Sequence, residues 1–420
     1  MALERRGRQQ FASADAEVAI IEGTATIPSI MIQTGDRRRP WVAGSDAAKM
    51  TPTRKMKVFA NWKSALYSSE FDARKVELVL VAREFFAWLL EGITKLGVNC
   101  ENCRVRVTIP ALRRIEEHKE ALVQCIRLSG WPDEIQVVVE PRANLIGVLS
   151  AGRNVVSATG QISYQPTFGM LGPREFPYVF DEIRRYALRN RRKRDMQISV
   201  VDFGSFTLDV AKQTLDLKVV DHDTFPLQDV SANSWEVGVI GDIDRCLEEL
   251  FEAHGIDGQS LSFEVKESAK AALYSGGVYA IPQRRTVLGE SDGDKAIVES
   301  AIEEYCQKAW SNIRSRCEDS EVVVLTGGGT CIPHVREYFE DKLKHAGVAN
   351  IVVFSVSSTS ELAKRGGGIC DWQSTGEGLG RLATALGGSS IAYGFRPDEE
   401  CLRRQHPLAG SMSGLAHGRG

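Results

Sequence analysis

Several features that would place this chain of 420 residues in a simple class are missing. No run of about eighteen apolar residues occurs, and a membrane-spanning helix needs that length. The N-terminus has no apolar segment of the kind found in secretory signals. The net charge is only −3, so overall charge does not attract the chain to nucleic acid or to a membrane surface. These absences favour a cytoplasmic protein with no membrane contact, and they argue against nucleic acid as a partner.

The motifs of several enzyme and metal-site classes are missing too. The seven histidines include no pair at positions i and i+4, and no Gly-x-Ser-x-Gly element occurs. Cys100 and Cys103 have the spacing of half a zinc site, but no second Cys or His pair lies at a matching distance. The nine cysteines are scattered, which fits a reducing compartment. Gly376-x-Gly378-x-Gly380 follows no predicted strand, so we interpret it as a flexible turn rather than a dinucleotide-binding loop.

The most informative stretch covers residues 200–211. An apolar run ends at Asp202, Gly204-Ser205-Phe206 forms a turn, and alternation resumes after Thr207, which predicts a β-hairpin. The backbone N–H groups of such a turn suit a phosphate. Asp202 and Asp209 would repel that phosphate unless a divalent cation lay between them. On this stretch alone, a surface hairpin with acidic ends remains the alternative.

A second signal lies at residues 321–335. A buried strand runs to Leu325, three glycines follow (Gly327, Gly328 and Gly329), and a helix begins near Pro333. Glycines allow a backbone to approach a flat or charged ligand closely, and the N-terminus of a helix offers N–H groups to an anion. One glycine is enough for a plain strand-to-helix turn, so three consecutive glycines favour a functional role over a purely structural one.

Elsewhere, predicted strands alternate with predicted helices. We expect strands at residues 17–22, 27–32, 103–109, 135–139, 215–221 and 351–355, and helices at 73–96, 111–128, 143–149, 180–194, 232–253, 264–274, 295–317 and 389–395. This alternation predicts an α/β protein whose sheets are covered by helices on both faces.

The ordered series of segments resembles the nucleotide-binding domain of the seventy-kilodalton heat-shock chaperones, within the actin-like ATPase superfamily. The resemblance covers about residues 17 to 395. Near the N-terminus, residues 27–30 with 42–49 resemble the family's Pro-Ser … Gly … Ala-Lys segment, and 58–63 lie where the family has its catalytic lysine. Residues 107–111 and 139–141 resemble the strand before the family's Glu-Pro connection and that connection itself. Further along, 202–209 resemble the family's second phosphate loop, 267–270 its adenine-contacting helix and 325–333 its adenosine loop.

The resemblance implies a two-lobed actin-like ATPase fold in which each lobe is built on a mixed β-sheet flanked by helices. Residues 1–15 are expected to be disordered and 401–420 to be a flexible tail. Lobe I would comprise residues 16–200, with a peripheral subdomain at about 36–104 and an insertion at about 154–194. Lobe II would comprise 201–354, with a peripheral subdomain at about 232–290, and the chain would return to lobe I over 355–400.

The resemblance also implies ATP or ADP with Mg²⁺ in the cleft between the lobes. Catalytic roles would fall to Glu140, Thr207 and Lys63. Asp202 and Asp209 would hold the metal through water. The residues that would contact the nucleotide are Asp202, Gly204, Ser205, Thr207, Asp209, Glu267, Lys270, Gly327, Gly328 and Gly329.

Three departures from the family pattern bear on activity. The family's first phosphate loop, Asp-x-Gly-Thr-Thr, has no counterpart among residues 5–15. Ser205-Phe206 stands where the family has glycine, and a phenylalanine crowds a loop that must approach phosphate. The insertion ends in a basic helix over residues 180–194, for which a solvated face, an anion or nucleic-acid contact and a docking helix remain open. No peptide-binding β-domain follows residue 400, so we do not expect a complete chaperone.

Two functions follow from this comparison. The first is an ATP-binding conformational switch, with slow or impaired hydrolysis of ATP to ADP and phosphate, whose lobe closure is read by an unknown protein partner. The second is a catalytically inactive nucleotide sensor or protein-interaction scaffold with the same fold, for which the missing loop and Phe206 argue. An actin-like filament is a weaker alternative. A sugar kinase is weaker still, because no segment resembles a sugar pocket.

Overall fold

A computed structural model describes residues 2–4, 16–22, 24, 26–60, 62–67, 71–101, 103, 105–112, 115–150, 155–156, 162–163, 189, 195–216, 231–282, 284–353, 368–371 and 379–389. Over these residues the chain is a mixed α/β protein with several sheets, as the sequence predicts. No helix among them is both long enough and apolar enough to cross a membrane.

The strands are β1 (Ala2–Glu4), β2 (Ala16–Ile20), β3 (Met31–Gln33), β4 (Trp41–Ala43), β5 (Lys57–Phe59), β6 (Val105–Ile109), β7 (Ile135–Val139), β8 (Val155–Val156), β9 (Ile162–Ser163), β10 (Asp195–Phe203), β11 (Leu208–Asp216), β12 (Ser231–Trp235), β13 (Tyr279–Ala280), β14 (Val287–Leu288), β15 (Val322–Thr326), β16 (Asn350–Val353) and β17 (Gly368–Asp371). The helices are α1 (Gly44–Lys49), α2 (Trp62–Tyr67), α3 (Phe71–Lys95), α4 (Ile115–Leu128), α5 (Glu140–Ser150), α6 (Ile240–Ile243), α7 (Arg245–Ala253), α8 (Phe263–Leu273), α9 (Asp292–Cys317), α10 (Pro333–His345) and α11 (Leu379–Ser389). Gly258–Ser260 and Gly328–Cys331 form 3₁₀ turns.

The largest sheet has five strands in the order β12-β11-β10-β15-β16. Strands β12, β11 and β10 are antiparallel neighbours, whereas β10, β15 and β16 run parallel. Every residue of β15 is buried, as expected of a central parallel strand with both faces covered. In register, Asp202 at the end of β10 lies beside Thr326 at the end of β15. The two segments that the sequence singles out therefore end side by side.

This sheet and helices α6 to α10 enclose one hydrophobic core, drawn from residues 201–348, which we call the central unit. Helix α9 contributes buried side chains at helical spacing: Val298, Ile302, Tyr305, Ala309 and Ile313. Its first turn is closed by Ser291, whose hydroxyl accepts the backbone N–H of Asp294 at 3.0 Å. Such an N-cap satisfies one of the free N–H groups at a helix start.

A separate core, drawn from residues 19–131, lies among the N-terminal strands and helices α2, α3 and α4, and we call this part the N-terminal unit. Its sheets are β1-β2-β17, β4-β3-β5 and the parallel pair β6-β7. Aromatic rings fill the space between helices; the rings of Trp62 and Phe85 lie 5.2 Å apart. Helix α5 begins directly after β7, with Pro141 as its second residue, where proline is well tolerated.

The last described segments return to the N-terminal unit. β17 pairs with β2, and α11 crosses α5 at very close range. A Cβ at Gly147 would lie 1.8 Å from the carbonyl oxygen of Ala383, and one at Gly387 would lie 1.7 Å from that of Ala143. Small residues at this crossing let the two helix backbones touch.

Several sequence predictions need correction. Residues 231–235 form a strand, not the start of a helix over 232–253, because they pair with β11. The last described helix covers 379–389, so Gly380 is helical rather than part of a flexible turn; residues 390–395 lie outside the described residues. Ala2–Glu4 pair with β2 as a strand inside the segment 1–15 that was expected to be disordered. The central sheet begins at Asp195, before the expected boundary at 201. Most of the insertion 154–194, including nearly all of its predicted basic helix, and the tail 401–420 also lie outside the described residues.

Candidate functional site

The hairpin predicted around Asp202 is confirmed. β10 and β11 pair with Asp202 opposite Asp209 and Phe203 opposite Leu208. Within the turn, the Gly204 amide donates to the carbonyl of Thr207 at 3.1 Å, and a Cβ on Gly204 would lie 2.6 Å from that same oxygen. The turn therefore requires glycine at this position.

The start of helix α6 holds the turn from the other side. The amide of Ile240 donates to the carbonyl of Gly204 at 3.1 Å, and that of Gly241 donates to the carbonyl of Ser205 at 3.0 Å. Ser205 itself is exposed at the tip. The hairpin turn is thus fixed by backbone hydrogen bonds within its own unit.

A cavity of about 460 Å³ lies between the N-terminal unit and the hairpin of the central unit. This volume is within the range of small-molecule sites. Its lining combines charged, polar and apolar side chains from both units. The lining residues are Thr26, Ile27, Ser29, Lys63, Ser64, Tyr67, Phe85, Leu89, Thr108, Pro110, Leu112, Glu140, Asp202, Gly204, Ser205, Phe206, Thr207, Asp209, Glu236, Leu382, Thr384 and Ala385.

Asp202 is held by two side chains from distant parts of the chain. Its Oδ2 accepts a hydrogen bond from the Asn144 amide at 2.6 Å and another from the Thr384 hydroxyl at 3.3 Å. The side-chain carbonyl of Asn144 in turn accepts a hydrogen bond from the Thr326 hydroxyl at 3.3 Å. These contacts join α5, α11 and the ends of β10 and β15. Burial, with the nearby negative charge of Glu140, raises the pKa of Asp202 to about 6 despite these hydrogen bonds.

Asp209 is more deeply enclosed, with only 3% of its surface exposed. The Thr207 hydroxyl donates to its Oδ2 at 2.7 Å, and the Ser234 hydroxyl donates to its Oδ1. Ser234 also accepts the backbone N–H of Ala111 at 2.7 Å, which links β12 to the N-terminal unit. Burial, together with the charges of Glu140 and Asp202, raises the pKa of Asp209 well above its usual value.

Lys63 and Glu140 face the hairpin from the N-terminal unit. The ammonium of Lys63 lies 3.0 Å from Oε1 of Glu140, an oxygen that also accepts from the Thr108 hydroxyl at 3.5 Å. The Glu140 side chain is 12% exposed and that of Lys63 is 37% exposed. The Glu140 charge raises the pKa of Lys63 above its usual value, so the lysine stays protonated at neutral pH.

The triple-glycine segment lies behind Asp202. Gly327 has a φ of +87°, and a Cβ there would lie 2.2 Å from Oδ1 of Asp202. Gly329 lies under Phe203 and Ile240, each of which would be 2.6 Å from an added Cβ, whereas nothing lies within 4 Å of one at Gly328. None of these glycines is among the residues that line the cavity.

Glu267 and Lys270 also lie away from the cavity lining. The Lys270 ammonium is 2.9 Å from both Glu267 and Asp244, and its side chain is 14% exposed. The hydroxyl of Tyr274 donates to the same Asp244 carboxylate at 3.0 Å. The structure therefore groups Lys63, Glu140, Asp202, Gly204, Ser205, Thr207 and Asp209 around one cavity and leaves Glu267, Lys270, Gly327, Gly328 and Gly329 outside its lining.

Sequence reasoning missed the side chains that hold the two aspartates. Asn144 is 1% exposed, and the usable sequence signal was a single amide side chain within the otherwise apolar stretch 143–148. Ser234 and Thr384 give no local signal, since one lies on a strand mistaken for a helix and the other beyond the predicted motifs. Among the described residues, no group of three metal-ligating side chains could hold an ion directly.

Comparison with known proteins adds no family assignment. A scan against models of protein families finds no match, and a search of curated proteins also finds none. Function is therefore argued from the chemistry of the cavity and from the motifs described above.

Proposed function

We propose that the cavity binds ATP with Mg²⁺ and that the chain is a nucleotide-dependent conformational switch of the heat-shock-chaperone-like kind. One observation carries the proposal: Asp202 and Asp209 of the central unit share a cavity with the Lys63–Glu140 pair of the N-terminal unit. A ligand that touches both units would favour the arrangement in which they are closed around it. A protein partner would then read that arrangement.

The architecture supports a two-lobed actin-like fold. The central unit has a mixed sheet covered by helices, and the N-terminal unit has a core of its own. The returning segment with α11 crosses α5 between the two, where small residues bring the backbones together. A cavity flanked by separately packed units can change its width without disrupting either core.

The charges of the cavity require a cation if a phosphate is to bind. Four carboxylates line the cavity, those of Glu140, Asp202, Asp209 and Glu236, and its lining holds a single ammonium, that of Lys63. Each aspartate already accepts two side-chain hydrogen bonds, so the pair suits a hydrated Mg²⁺ held through water rather than direct ligation. Bound Mg²⁺ neutralises charge on the phosphates during transfer.

The remaining residues take roles that fit their positions. Lys63 stays charged beside Glu140 and would stabilise the terminal phosphate, while Glu140 would orient the attacking water. Gly204 and Ser205 would bring the turn backbone close to phosphate. Thr207 would hold Asp209 in place through the hydrogen bond that it already donates.

Hydrolysis is proposed to be slow or impaired, because Phe206 occupies part of the cavity wall next to the turn. The second candidate is a nucleotide sensor or interaction scaffold without catalysis. The pairing of Lys270 with Asp244 and Glu267 favours it, since that lysine is engaged outside the cavity.

The melting temperature with and without nucleotide tests the proposal. A ligand that binds only the folded state stabilises it by about 2.7 kcal/mol at one hundred times its Kd. We expect a rise with ATP and Mg²⁺, a smaller one with AMP and Mg²⁺, and loss of the rise in Asp209→Asn. The matched control is Lys95→Met, which alters an exposed ion pair with Glu91 outside the cavity lining.

Turnover separates the two candidates. A switch that hydrolyses ATP loses turnover in Glu140→Gln while keeping the ATP-dependent stabilisation, whereas a sensor shows stabilisation and no turnover in either protein. Absence of any nucleotide-dependent stabilisation would overturn the switch and the nucleotide sensor, and would leave an interaction scaffold with the same fold.

A further inference from the structure

A pair of thiols lies outside the cavity, in the turn that joins α3 to β6. The amide of Cys103 donates to the carbonyl of Cys100 at 3.1 Å, which closes a four-residue turn. In such a turn the first and last Cα atoms lie within about 7 Å of each other. A disulfide bridges Cα atoms about 4.4–6.8 Å apart, so this turn already brings the two residues to bonding range.

The two thiols lie at the ends of this turn, Cys100 at its first residue and Cys103 at its last. Each thiol also has a nearby backbone acceptor: Cys103 donates to the carbonyl of Asn99 at 3.1 Å, and Cys100 lies 3.9 Å from that of Val98. Both residues are half-buried, and both are free thiols.

The surroundings of the two thiols differ. Cys100 packs against the core of the N-terminal unit, and burial raises its pKa to about 11, with Cys103 adding to the effect. A thiol in this state reacts slowly with an external oxidant. Cys103 is not among the residues that pack against this core, and it is the better placed of the two to react first.

Five further cysteines whose side chains the structure describes lack this arrangement. Cys125, Cys246, Cys306 and Cys317 are buried, and burial raises the pKa of each thiol. Cys331 is exposed but lies in the glycine turn of the other unit. These positions serve as internal controls for any chemistry at the turn.

We propose that Cys100 and Cys103 form a redox-active dithiol that a low-molecular-weight disulfide oxidises to an intramolecular disulfide. The Cys103 thiolate attacks one sulfur of the small disulfide, forms a mixed disulfide and releases one small thiolate. The Cys100 thiolate then attacks the Cys103 sulfur, closes the Cys100–Cys103 bond and releases the second small thiolate. Two protons leave the protein thiols, and two electrons reduce the small disulfide to two thiols.

The position of the turn gives this chemistry a route to the cavity. The turn joins α3 to β6, and both elements contribute to the cavity wall. The lining includes Phe85 and Leu89 from α3 and Thr108 from β6. A disulfide here would restrict their connection. The proposal itself does not depend on nucleotide binding.

The test is a redox titration of the full chain in buffers of reduced and oxidised glutathione. Alkylation of the denatured protein should label all nine cysteines when reduced and seven when oxidised. Trypsin cuts after Lys95 and Arg104, so both thiols fall in one peptide. That peptide should lose the mass of two hydrogen atoms on oxidation and regain it with dithiothreitol.

Variants separate this pair from other thiols. Cys100→Ser should leave Cys103 as a stable glutathione adduct, because no second thiol resolves it. Cys246→Ser, the matched control, should keep the two-thiol loss. The proposal is overturned if the double variant Cys100→Ser/Cys103→Ser loses two thiols as the wild type does, if the wild-type peptide never loses two hydrogens, or if the purified protein holds one zinc ion that Cys100→Ser releases.

Discussion

The backbone of Gly327 lies against the carboxylate of Asp202. With a φ of +87° and space for no Cβ, Gly327 lets the end of β15 approach the end of β10 while the Asp202 side chain turns toward the cavity. Gly327 therefore affects the site without lining the cavity, because its close packing against Asp202 helps to fix the position of that carboxylate. The sequence predicted a ligand contact for this glycine, and in the structure its neighbour is the aspartate.

We expect Gly327→Ala to destabilise the protein by at least about 2 kcal/mol, because left-handed backbone strain and a collision with Asp202 add together. Gly328→Ala is the matched control, since no atom would lie within 4 Å of its Cβ. Urea unfolding of the two variants provides the comparison. Equal stability of the pair would mean that Gly327 and Asp202 do not touch in solution.

Removing the Ser234 hydroxyl should destabilise the fold by about 1–2 kcal/mol, because Asp209 is buried and loses one of its two hydroxyl donors. The amide of Ala111 loses its acceptor at the same time. Ser234→Thr keeps the hydroxyl on a strand residue and should retain most of the stability. The measurement is the urea midpoint of Ser234→Ala compared with that of Ser234→Thr. Equal midpoints would contradict the hydrogen bond from Ser234 to Asp209.

Lys63 and Glu140 should show coupling in a double-mutant cycle. Lys63→Met leaves the mostly buried Glu140 carboxylate without its cation, and we expect a loss of about 1–2 kcal/mol, limited by the partial exposure of the lysine. Adding Glu140→Gln should recover part of the loss. Lys95→Met, which alters the exposed pair with Glu91, should change stability by less than about 0.5 kcal/mol. Additive effects at Lys63 and Glu140 would rule out the pair.

The contribution of Asp202 to stability should fall as pH rises from about 4 to about 6. The folded-state pKa of Asp202 is raised to about 6 by burial and by Glu140, so the folded protein binds more protons than the unfolded chain in this range. Asp202→Asn removes that proton uptake and should flatten the dependence, leaving the contribution of Asp209. The pH dependence is measured by thermal unfolding across this range. The control is Asp133→Asn, which changes an exposed carboxylate. An unchanged slope in Asp202→Asn would assign the effect to other groups.

The crossing of α5 and α11 should tolerate no added methyl group. Gly147→Ala would place a Cβ 1.8 Å from the Ala383 carbonyl oxygen and force the helices apart. We expect a loss of about 1–3 kcal/mol and increased proteolysis within residues 379–389. Gly293→Ala, in the first turn of α9 with only the Ser291 hydroxyl nearby at 3.7 Å, should be neutral or slightly stabilising. Comparable melting temperatures for both variants would contradict the close crossing.

The sequence alone determined the features that depend on neighbouring residues. Alternation around Gly204-Ser205-Phe206 predicted the hairpin, and the pairing of Asp202 with Asp209 confirmed it. The apolar run before Gly327 predicted the buried strand β15. Helical spacing predicted α3 and α9 to within a few residues. Patterns of this kind are fixed by the geometry of one strand or one helix turn.

Only the tertiary structure decided what surrounds the aspartates. Asn144 and Thr384 lie 58 and 182 positions from Asp202 along the chain, and no local pattern relates them. Ser234 was assigned to a helix because its neighbours carry helical spacing, but pairing with β11 made it part of a strand. Hydrogen bonds between distant segments form only when the sheet and the α5–α11 crossing have placed them side by side. The hairpin is thus a property of the sequence, and its polar environment is a property of the fold.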